Sequence, residues 1–159
     1  MKPLHAVETA CTQLGLPVAL RQQLSDLVKA SYPFEACGLL VGREEDKRTA
    51  VVRIAPARNL NREQPRRRYL LDPQDFLAAD QAARAQGLEI VGIWHSHPDS
   101  PARPSRTDLE GAWAGYSYLI ISTTAEGADG AEGAESFRSW RLIDNRFLEE
   151  AIDKGETEP

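Results

Sequence analysis

The sequence predicts an α/β (α+β) fold in which a single mixed β-sheet is flanked by helices. Two segments place apolar residues at helical spacing, and short runs of apolar and β-branched residues, typical of buried strands, surround them. The order helix, two or three strands, helix, further strands is the order expected of a mixed sheet covered by helices. A chain of 159 residues is the size of one domain, so we expect a single domain over residues 1–159.

The first predicted helix covers residues 17–30, where leucine and valine recur on one helical face. It ends at Tyr32, because the residue before a proline is disfavoured in the helical region. A strand is predicted over 35–42, and a polar turn over 43–48 joins it to a hairpin partner over 50–55.

The second predicted helix begins at Asp72 and Pro73, an acidic N-cap followed by proline in the first helical position, and Gly87 suits its C-terminal end. Ser105 and Asp108 have the spacing of an acidic capping signal and predict a short third helix. Further strands are predicted over 88–94, 116–122 and 136–142.

The remaining segments are predicted to be less regular. Residues 59–67 are polar, Tyr69 to Leu71 form a short strand candidate, and residues 125–135 have the glycine- and alanine-rich composition of a mobile surface loop. We place the core at about 17–146 and the rest, 147–159, in a C-terminal segment whose last four residues fray.

Composition narrows the classes of function. The formal net charge is −5, whereas a nucleic-acid surface needs a basic face, so we expect a protein or peptide partner and no nucleic acid. The two cysteines, Cys11 and Cys37, form no C-x-x-C pair and are too few for a disulfide scaffold, which favours a reducing compartment. No apolar run predicts a signal peptide or a membrane span, so we expect a cytoplasmic protein without membrane contact.

The segment His95-Ser96-His97-Pro98 gathers two imidazoles directly after a buried strand pattern. Side chains two residues apart on a strand share a face, so His95 and His97 can bind one ion, whereas a helix would separate them. Asp108, beyond a proline-rich loop, supplies a third ligand and leaves a fourth tetrahedral position for water. This is the pattern of a catalytic zinc site.

A hydrolytic zinc site also needs a group that carries a proton from the attacking water to the leaving amine. Glu35, at the mouth of a predicted strand, is the candidate, because a carboxylate that is partly desolvated near a metal can hold a proton near neutral pH. Ser105 is the candidate donor to the oxyanion of the tetrahedral intermediate. Ser105 is also a natural helix N-cap, and both roles can coexist.

Three stretches of the chain together resemble a known signature: Pro33 to Gly42 with Glu35 inside it, His95-x-His97-Pro98, and Pro104-Ser105-x-x-Asp108. They look like the full motif of the JAMM (MPN-plus, Mov34/PAD-1) metalloproteases. More narrowly, the chain is similar to the short prokaryotic members such as the CysO-cysteine peptidases, from about residue 17 to about residue 146.

The resemblance implies an MPN/JAB1-like fold with a cytidine deaminase-like architecture. It implies one Zn²⁺ per chain, held by His95, His97 and Asp108, with Glu35 as general acid/base and Ser105 as oxyanion donor. It also implies hydrolysis directly after the C-terminal Gly-Gly of a ubiquitin-like β-grasp sulfur-carrier protein. The sequence does not decide whether the leaving group is a cysteine, a short C-terminal extension or a lysine of a modified protein. It does not determine the oligomeric state either.

Alternatives from other classes also stay open. A two-histidine-one-carboxylate iron site uses the same ligand types, although such sites lie on all-β jelly rolls and this chain has two amphipathic helices. A non-catalytic MPN binding module would keep the fold without needing intact ligands. Cys37 is better explained as a small buried hydrophobe than as a nucleophile. Arg66 to Arg68 either meet an acidic carrier or form a solvated face.

Overall fold

A computed structural model describes residues 13–128 and 136–154 of the chain. Within these ranges it contains strands and helices with the following bounds: β1 Gln13–Gly15, α1 Val18–Ser31, β2 Cys37–Glu45, β3 Arg48–Ala57, α2 Pro73–Ala85, β4 Glu89–Pro98, α3 Arg106–Glu110, β5 Ser117–Thr123, β6 Phe137–Ile143 and β7 Arg146–Asp153.

The strands form one mixed sheet in the order β1-β3-β2-β4-β5-β6-β7. The pairs β4–β5, β1–β3 and β1–β7 are parallel, and the other neighbours are antiparallel. The predicted mixed sheet with flanking helices is therefore confirmed. Because β1 pairs with both β3 and β7, the sheet also closes into a barrel, which was not expected. Strand β1 and all of β7 except Arg146 lie outside the expected core bounds of 17–146.

Both amphipathic helices begin and end close to their predicted bounds. The Asp72 side chain accepts a hydrogen bond from the Gln74 N–H at 2.8 Å and so caps α2, and Gly87 has a φ of +72° just after its end. Among the described residues, none of the helices has the length and apolar composition needed to cross a membrane.

The two long helices pack against different apolar clusters. Leu24 and Val28 of α1 are fully buried in the main core, whereas Ala83 of α2 packs with Val41 and Leu88. The sheet therefore has helices on two sides, and the strands between them are held in place from both.

Trp94 lies in the main core, 1 % exposed, on the face of β4 opposite to the histidines, as predicted. The pairing of β4 with β2 skips Val91, a β-bulge that lets Val91 and Trp94 enter the same core although they are an odd number of residues apart.

Several predicted boundaries differ from the structure. Strand β2 begins at Cys37 rather than Glu35 and continues to Glu45, so the predicted turn over 43–48 shrinks to a tight turn at Asp46 and Lys47. The strand predicted for residues 69–71 is wrong, since only an isolated bridge joins Asn59 to Leu71. In this segment the Leu70 N–H donates to the side-chain Oδ1 of Asn59 and not to the backbone of a neighbouring strand.

Two predictions fall wholly or mostly on residues that the structure does not describe. Of the predicted mobile loop over 125–135, only residues 125–128 are described, and the Gly127 N–H donates to the Thr124 carbonyl at 2.9 Å. The predicted frayed end, 156–159, lies outside the described residues, as does Cys11. Strand β7 covers Arg146–Asp153, so all of it but its first residue lies in the segment 147–159 that was expected to lie beyond the core.

Candidate metal centre

The two histidines stand near the end of a central strand. Strand β4 is paired with β2 on one side and with β5 on the other, and His95 lies opposite Cys37 and Ile120 in these pairs. His95 is fully buried and His97 is 7 % exposed. As predicted from their spacing, both imidazoles point to the same place, and their Nε2 atoms are 3.1 Å apart.

Asp108 reaches the histidines from the first turn of α3. The helix begins with a capping box, in which Ser105 Oγ accepts the Asp108 N–H at 3.0 Å and Asp108 Oδ2 accepts the Ser105 N–H at 2.8 Å. The reciprocal pair fixes the direction of the Asp108 carboxylate.

The three side chains offer donor atoms at the spacing of a metal-binding triad. Asp108 Oδ2 is 3.2 Å from His97 Nε2, and Asp108 Oδ1 is 3.3 Å from His95 Nε2. Ligand atoms about 2.0–2.1 Å from a tetrahedral zinc ion are separated by roughly 3.3 Å. The donor spacing is therefore compatible with such an ion, with one Asp108 oxygen facing each histidine. Among the described residues, His95, His97 and Asp108 are the His, Cys, Asp or Glu side chains that lie close enough together to hold a metal ion.

Burial and hydrogen bonding shift the pKa of each of these side chains. Burial lowers the pKa of His95, despite the opposing effect of Asp108, so its imidazole is neutral. Burial on its own would raise the pKa of Asp108, but hydrogen bonds from His95 and His97 outweigh it and hold that pKa well below its usual range. Burial on its own would lower the pKa of His97, but hydrogen bonds to Asp108 and to the Pro101 carbonyl outweigh it and raise that pKa. The contact of Nδ1 with the Pro101 carbonyl at 2.8 Å orients the ring so that Nε2 faces Asp108, and an ion bound there would displace a proton.

Glu35 lies just before β2, next to this triad, and is 5 % exposed. Its backbone is fixed from both sides: its N–H donates to the Pro65 carbonyl at 2.7 Å, and its own carbonyl accepts from Asn59 Nδ2 at 3.1 Å. Burial raises the pKa of Glu35 to about 8; His97 opposes the rise and Asp108 adds to it. A carboxyl group with this pKa can both accept and donate a proton near neutral pH.

Ser105 has the structural role that its position in the sequence suggests, as the N-cap of α3. Its Oγ accepts a hydrogen bond from Asp108, and the contacts among the described residues give its own hydroxyl hydrogen no acceptor. The hydroxyl is therefore available as a donor beside the triad.

Cys37 is a buried core residue, as predicted, and 1 % exposed. Its Sγ lies 3.7 and 3.8 Å from the carbonyl oxygens of Arg58 and Ala57. Burial raises the pKa of the Cys37 thiol to about 12. A thiol that stays protonated at neutral pH is a poor nucleophile, which argues against the cysteine alternative.

A cavity of about 430 Å³ opens beside Asp108. Apolar and aromatic side chains make up much of its lining, among them Leu70, Leu71, Phe76, Trp113 and Tyr118, and Arg67 and Arg68 also line it. Of the triad, Asp108 lines the cavity, so a segment bound there would lie beside that carboxylate.

Two residues of the site were missed by sequence reasoning. Tyr69 stacks on the His95 ring with centroids 4.4 Å apart, and Asn59 holds the segment that carries Tyr69. Both lie in the stretch that was predicted only as irregular or as a short strand. Since their contacts join residues far apart in the chain, no local pattern identifies them.

Residues 17–143 match the model of the prokaryotic homologs of the JAB domain. The chain belongs to this family. The resemblance stated from the sequence motifs and the JAB1/MPN-like fold that it implies are thereby confirmed.

Several curated relatives of this chain have names that denote cleavage of a protein or a conjugate. A desampylase of Haloferax volcanii is 45 % identical over 91 residues, 57 % of this chain and 63 % of that protein, so the chain spans less than two thirds of its length. A probable TtuB-protein conjugate cleaving protease of Thermus thermophilus is 34 % identical over 110 residues, 69 % of this chain and 70 % of that one. The CysO-cysteine peptidase of Mycobacterium tuberculosis is 30 % identical over 139 residues, 81 % of this chain and 87 % of its own.

A solved structure shares the fold. The solution structure of a protein from Desulfitobacterium hafniense is 32 % identical to this chain and superposes with a TM-score of 0.76, covering 91 % of this chain and 95 % of the other.

The raised pKa of Glu35 predicts how the stability of the metal-free protein depends on pH. The folded state keeps the proton on Glu35 up to about pH 8 while the unfolded chain loses it near pH 4.5. The contribution of Glu35 to the free energy of unfolding is thus fully present below the lower value and is lost as the pH rises through the window. The glutamine of Glu35→Gln does not titrate, so the variant does not lose this contribution. The free energy of unfolding of the variant minus that of the wild type should therefore rise by on the order of a few kcal/mol between about pH 5 and pH 9.

Urea unfolding of both proteins without metal, at a series of pH values, measures this difference. The matched control is Glu45→Gln, which makes the same substitution at an exposed carboxyl at the far end of β2. A difference between Glu35→Gln and wild type that is flat across the window would contradict the burial argument.

Proposed function

We propose that the chain, as one JAMM domain over residues 1–159, is a zinc-dependent peptidase that hydrolyses the bond after the C-terminal Gly-Gly of a ubiquitin-like sulfur-carrier protein. The observation that carries the proposal is the convergence of His95, His97 and Asp108 beside the buried carboxyl of Glu35. Because every residue of the motif is present, the non-catalytic binding module is not favoured. The names of the curated relatives support the class of substrate.

The roles of the residues follow from their positions. A zinc ion bound by His95, His97 and Asp108 would supply a Lewis acid and a water of lowered pKa. Glu35 accepts a proton from the water that adds to the glycine carbonyl carbon, and returns a proton to the amine nitrogen as the C–N bond breaks. The Ser105 hydroxyl donates a hydrogen bond to the oxyanion that forms in between.

The leaving group divides the proposal into two reactions. Removal of a cysteine or a short extension would mature or unload the carrier, and the CysO-cysteine peptidase is the relative whose name supports it. Release of a lysine would make the enzyme an isopeptidase, and the relative named as a cleaver of TtuB-protein conjugates supports that second candidate. In both, we propose a cytoplasmic enzyme, which the low cysteine content and the buried Cys37 support.

Charge at the cavity favours an acidic carrier. Arg66, Arg67 and Arg68 are exposed in a chain whose net charge is −5, and two of them line the cavity beside Asp108. Such a local basic patch attracts a partner with carboxylates near its C-terminal tail and steers it to the site.

The catalytic role of Glu35 is tested by Glu35→Gln in the zinc-loaded protein. The variant should keep one zinc ion per chain, since Glu35 is not among the three ligands, and lose turnover by about 100-fold or more. The substrates are three forms of a β-grasp carrier protein ending in Gly-Gly: one with a following cysteine, one with a short extension, and one joined to a lysine by an isopeptide bond. Mass spectrometry after incubation measures the loss of each leaving group.

Glu45→Gln should cleave at the wild-type rate. Cleavage by Glu35→Gln at that same rate would overturn the role of Glu35. Wild-type protein that holds zinc and leaves all three carrier masses unchanged would overturn the proposed substrate class.

The basic patch is tested by reversing its charge. Arg67→Glu combined with Arg68→Glu should raise the KM for the carrier several-fold at low salt, and the effect should shrink as salt screens the charges. The control reverses two exposed arginines elsewhere, Arg43→Glu with Arg146→Glu, and has the same change in net charge. Steady-state kinetics with equal KM changes in both double variants would show that only total charge matters.

A further inference from the structure

The two histidines of the metal triad are held differently. His97 Nδ1 has a hydrogen-bond partner, the Pro101 carbonyl at 2.8 Å. His95 Nδ1 is buried, and no polar atom in the described part of the chain is bonded to it. A metal-binding imidazole is normally oriented by a hydrogen bond from its second nitrogen, so His95 lacks the usual means of fixing its ring.

A stacked aromatic ring packs against the face of the His95 imidazole. The Tyr69 ring is nearly parallel to the His95 imidazole, with an interplanar angle of 27° and a centroid distance of 4.4 Å. The His97 ring meets the same imidazole at 61° and 4.9 Å. A flat ring stacked at this distance opposes tilting of the imidazole out of its plane.

The segment that carries Tyr69 is held by an isolated bridge, in which the Leu60 N–H donates to the Leu70 carbonyl at 2.7 Å, and by the side-chain amide of Asn59. Asn59 Nδ2 donates to the carbonyl of Arg68 at 3.1 Å, and Asn59 Oδ1 accepts the N–H of Leu70 at 2.9 Å, so both neighbours of Tyr69 are bonded to one residue. The same Nδ2 also donates to the Glu35 carbonyl at 3.1 Å. One amide thereby ties the segment that carries Tyr69 to the segment that carries Glu35.

We propose that Tyr69 is a positioning residue for the metal centre: its ring sets the orientation of His95 by stacking, and Asn59 sets the position of that ring relative to Glu35. The inference rests on the proposed zinc site. It deepens that proposal, because it assigns the support of one ligand to two residues outside the His-His-Asp set.

The experiment compares two changes at Tyr69. Tyr69→Phe keeps the flat ring and removes the hydroxyl, so its zinc affinity should equal that of the wild type. Tyr69→Leu keeps apolar bulk and removes the ring, so its zinc dissociation constant should rise by about ten-fold, the usual effect of losing an outer contact to a ligand. Tyr116→Leu is the matched control: it makes the same substitution at a tyrosine that contacts Trp113, and it should bind zinc as the wild type does.

Two measurements are made on the full chain. Competition with a chromophoric chelator gives the zinc dissociation constant, and the visible absorption of the Co²⁺-loaded protein reports ligand geometry directly. A change in the cobalt spectrum in Tyr69→Leu that is absent in Tyr69→Phe and Tyr116→Leu supports the proposal, because a general loss of stability would not alter ligand geometry in this selective way. Circular dichroism confirms that each variant is folded.

Asn59→Ala gives an independent test, since it removes the side-chain hydrogen bonds to this segment and to Glu35 while the Tyr69 ring itself is unchanged. Its zinc affinity should fall between those of Tyr69→Leu and Tyr116→Leu, and it replaces Tyr69→Leu if that variant does not fold. Wild-type affinity and cobalt spectrum in a folded Tyr69→Leu would overturn the positioning role, as would equal losses in Tyr69→Phe and Tyr69→Leu. Wild-type protein that binds neither zinc nor cobalt would instead overturn the metal centre itself.

Discussion

Two imidazole nitrogens and a carboxylate face one another at 3.1 to 3.3 Å in a buried part of the molecule, and much of the structure serves to keep them there. Polar groups buried in this way cost free energy unless each has a partner. Among the described residues, the Nε2 atoms of His95 and His97 have each other and Asp108 as polar partners. A divalent cation shared by the three donors would satisfy these groups, so the site's chemistry and its cost in stability would have the same origin.

The fold places these donors with little freedom. Strand β4 fixes the spacing of the two histidines between two neighbouring strands, and the bulge at Val91 keeps Trp94 in the core behind them. The capping box of α3 then brings Asp108 in from a different part of the chain. Rigid elements thus hold the ligands, and the loops around them carry Ser105, Tyr69 and the arginines of the cavity.

How much of this could be predicted from the sequence depends on the range of the interactions. The helix caps at Asp72 and Ser105 and the shared face of His95 and His97 follow from contacts between near neighbours, and the structure confirms them. Barrel closure through β1 and the stacking of Tyr69 on His95 depend on contacts across long stretches of chain. A three-residue strand and a lone tyrosine leave no periodic signal, so these features needed the fold.

X-ray absorption spectroscopy of the zinc-loaded protein tests the central claim most directly, because it identifies the atoms around the ion. The account predicts nitrogen and oxygen neighbours at about 2.0–2.1 Å with two imidazoles among them, and one imidazole fewer in His97→Ala. A sulfur neighbour at about 2.3 Å, or a first shell unchanged by His97→Ala, would contradict it.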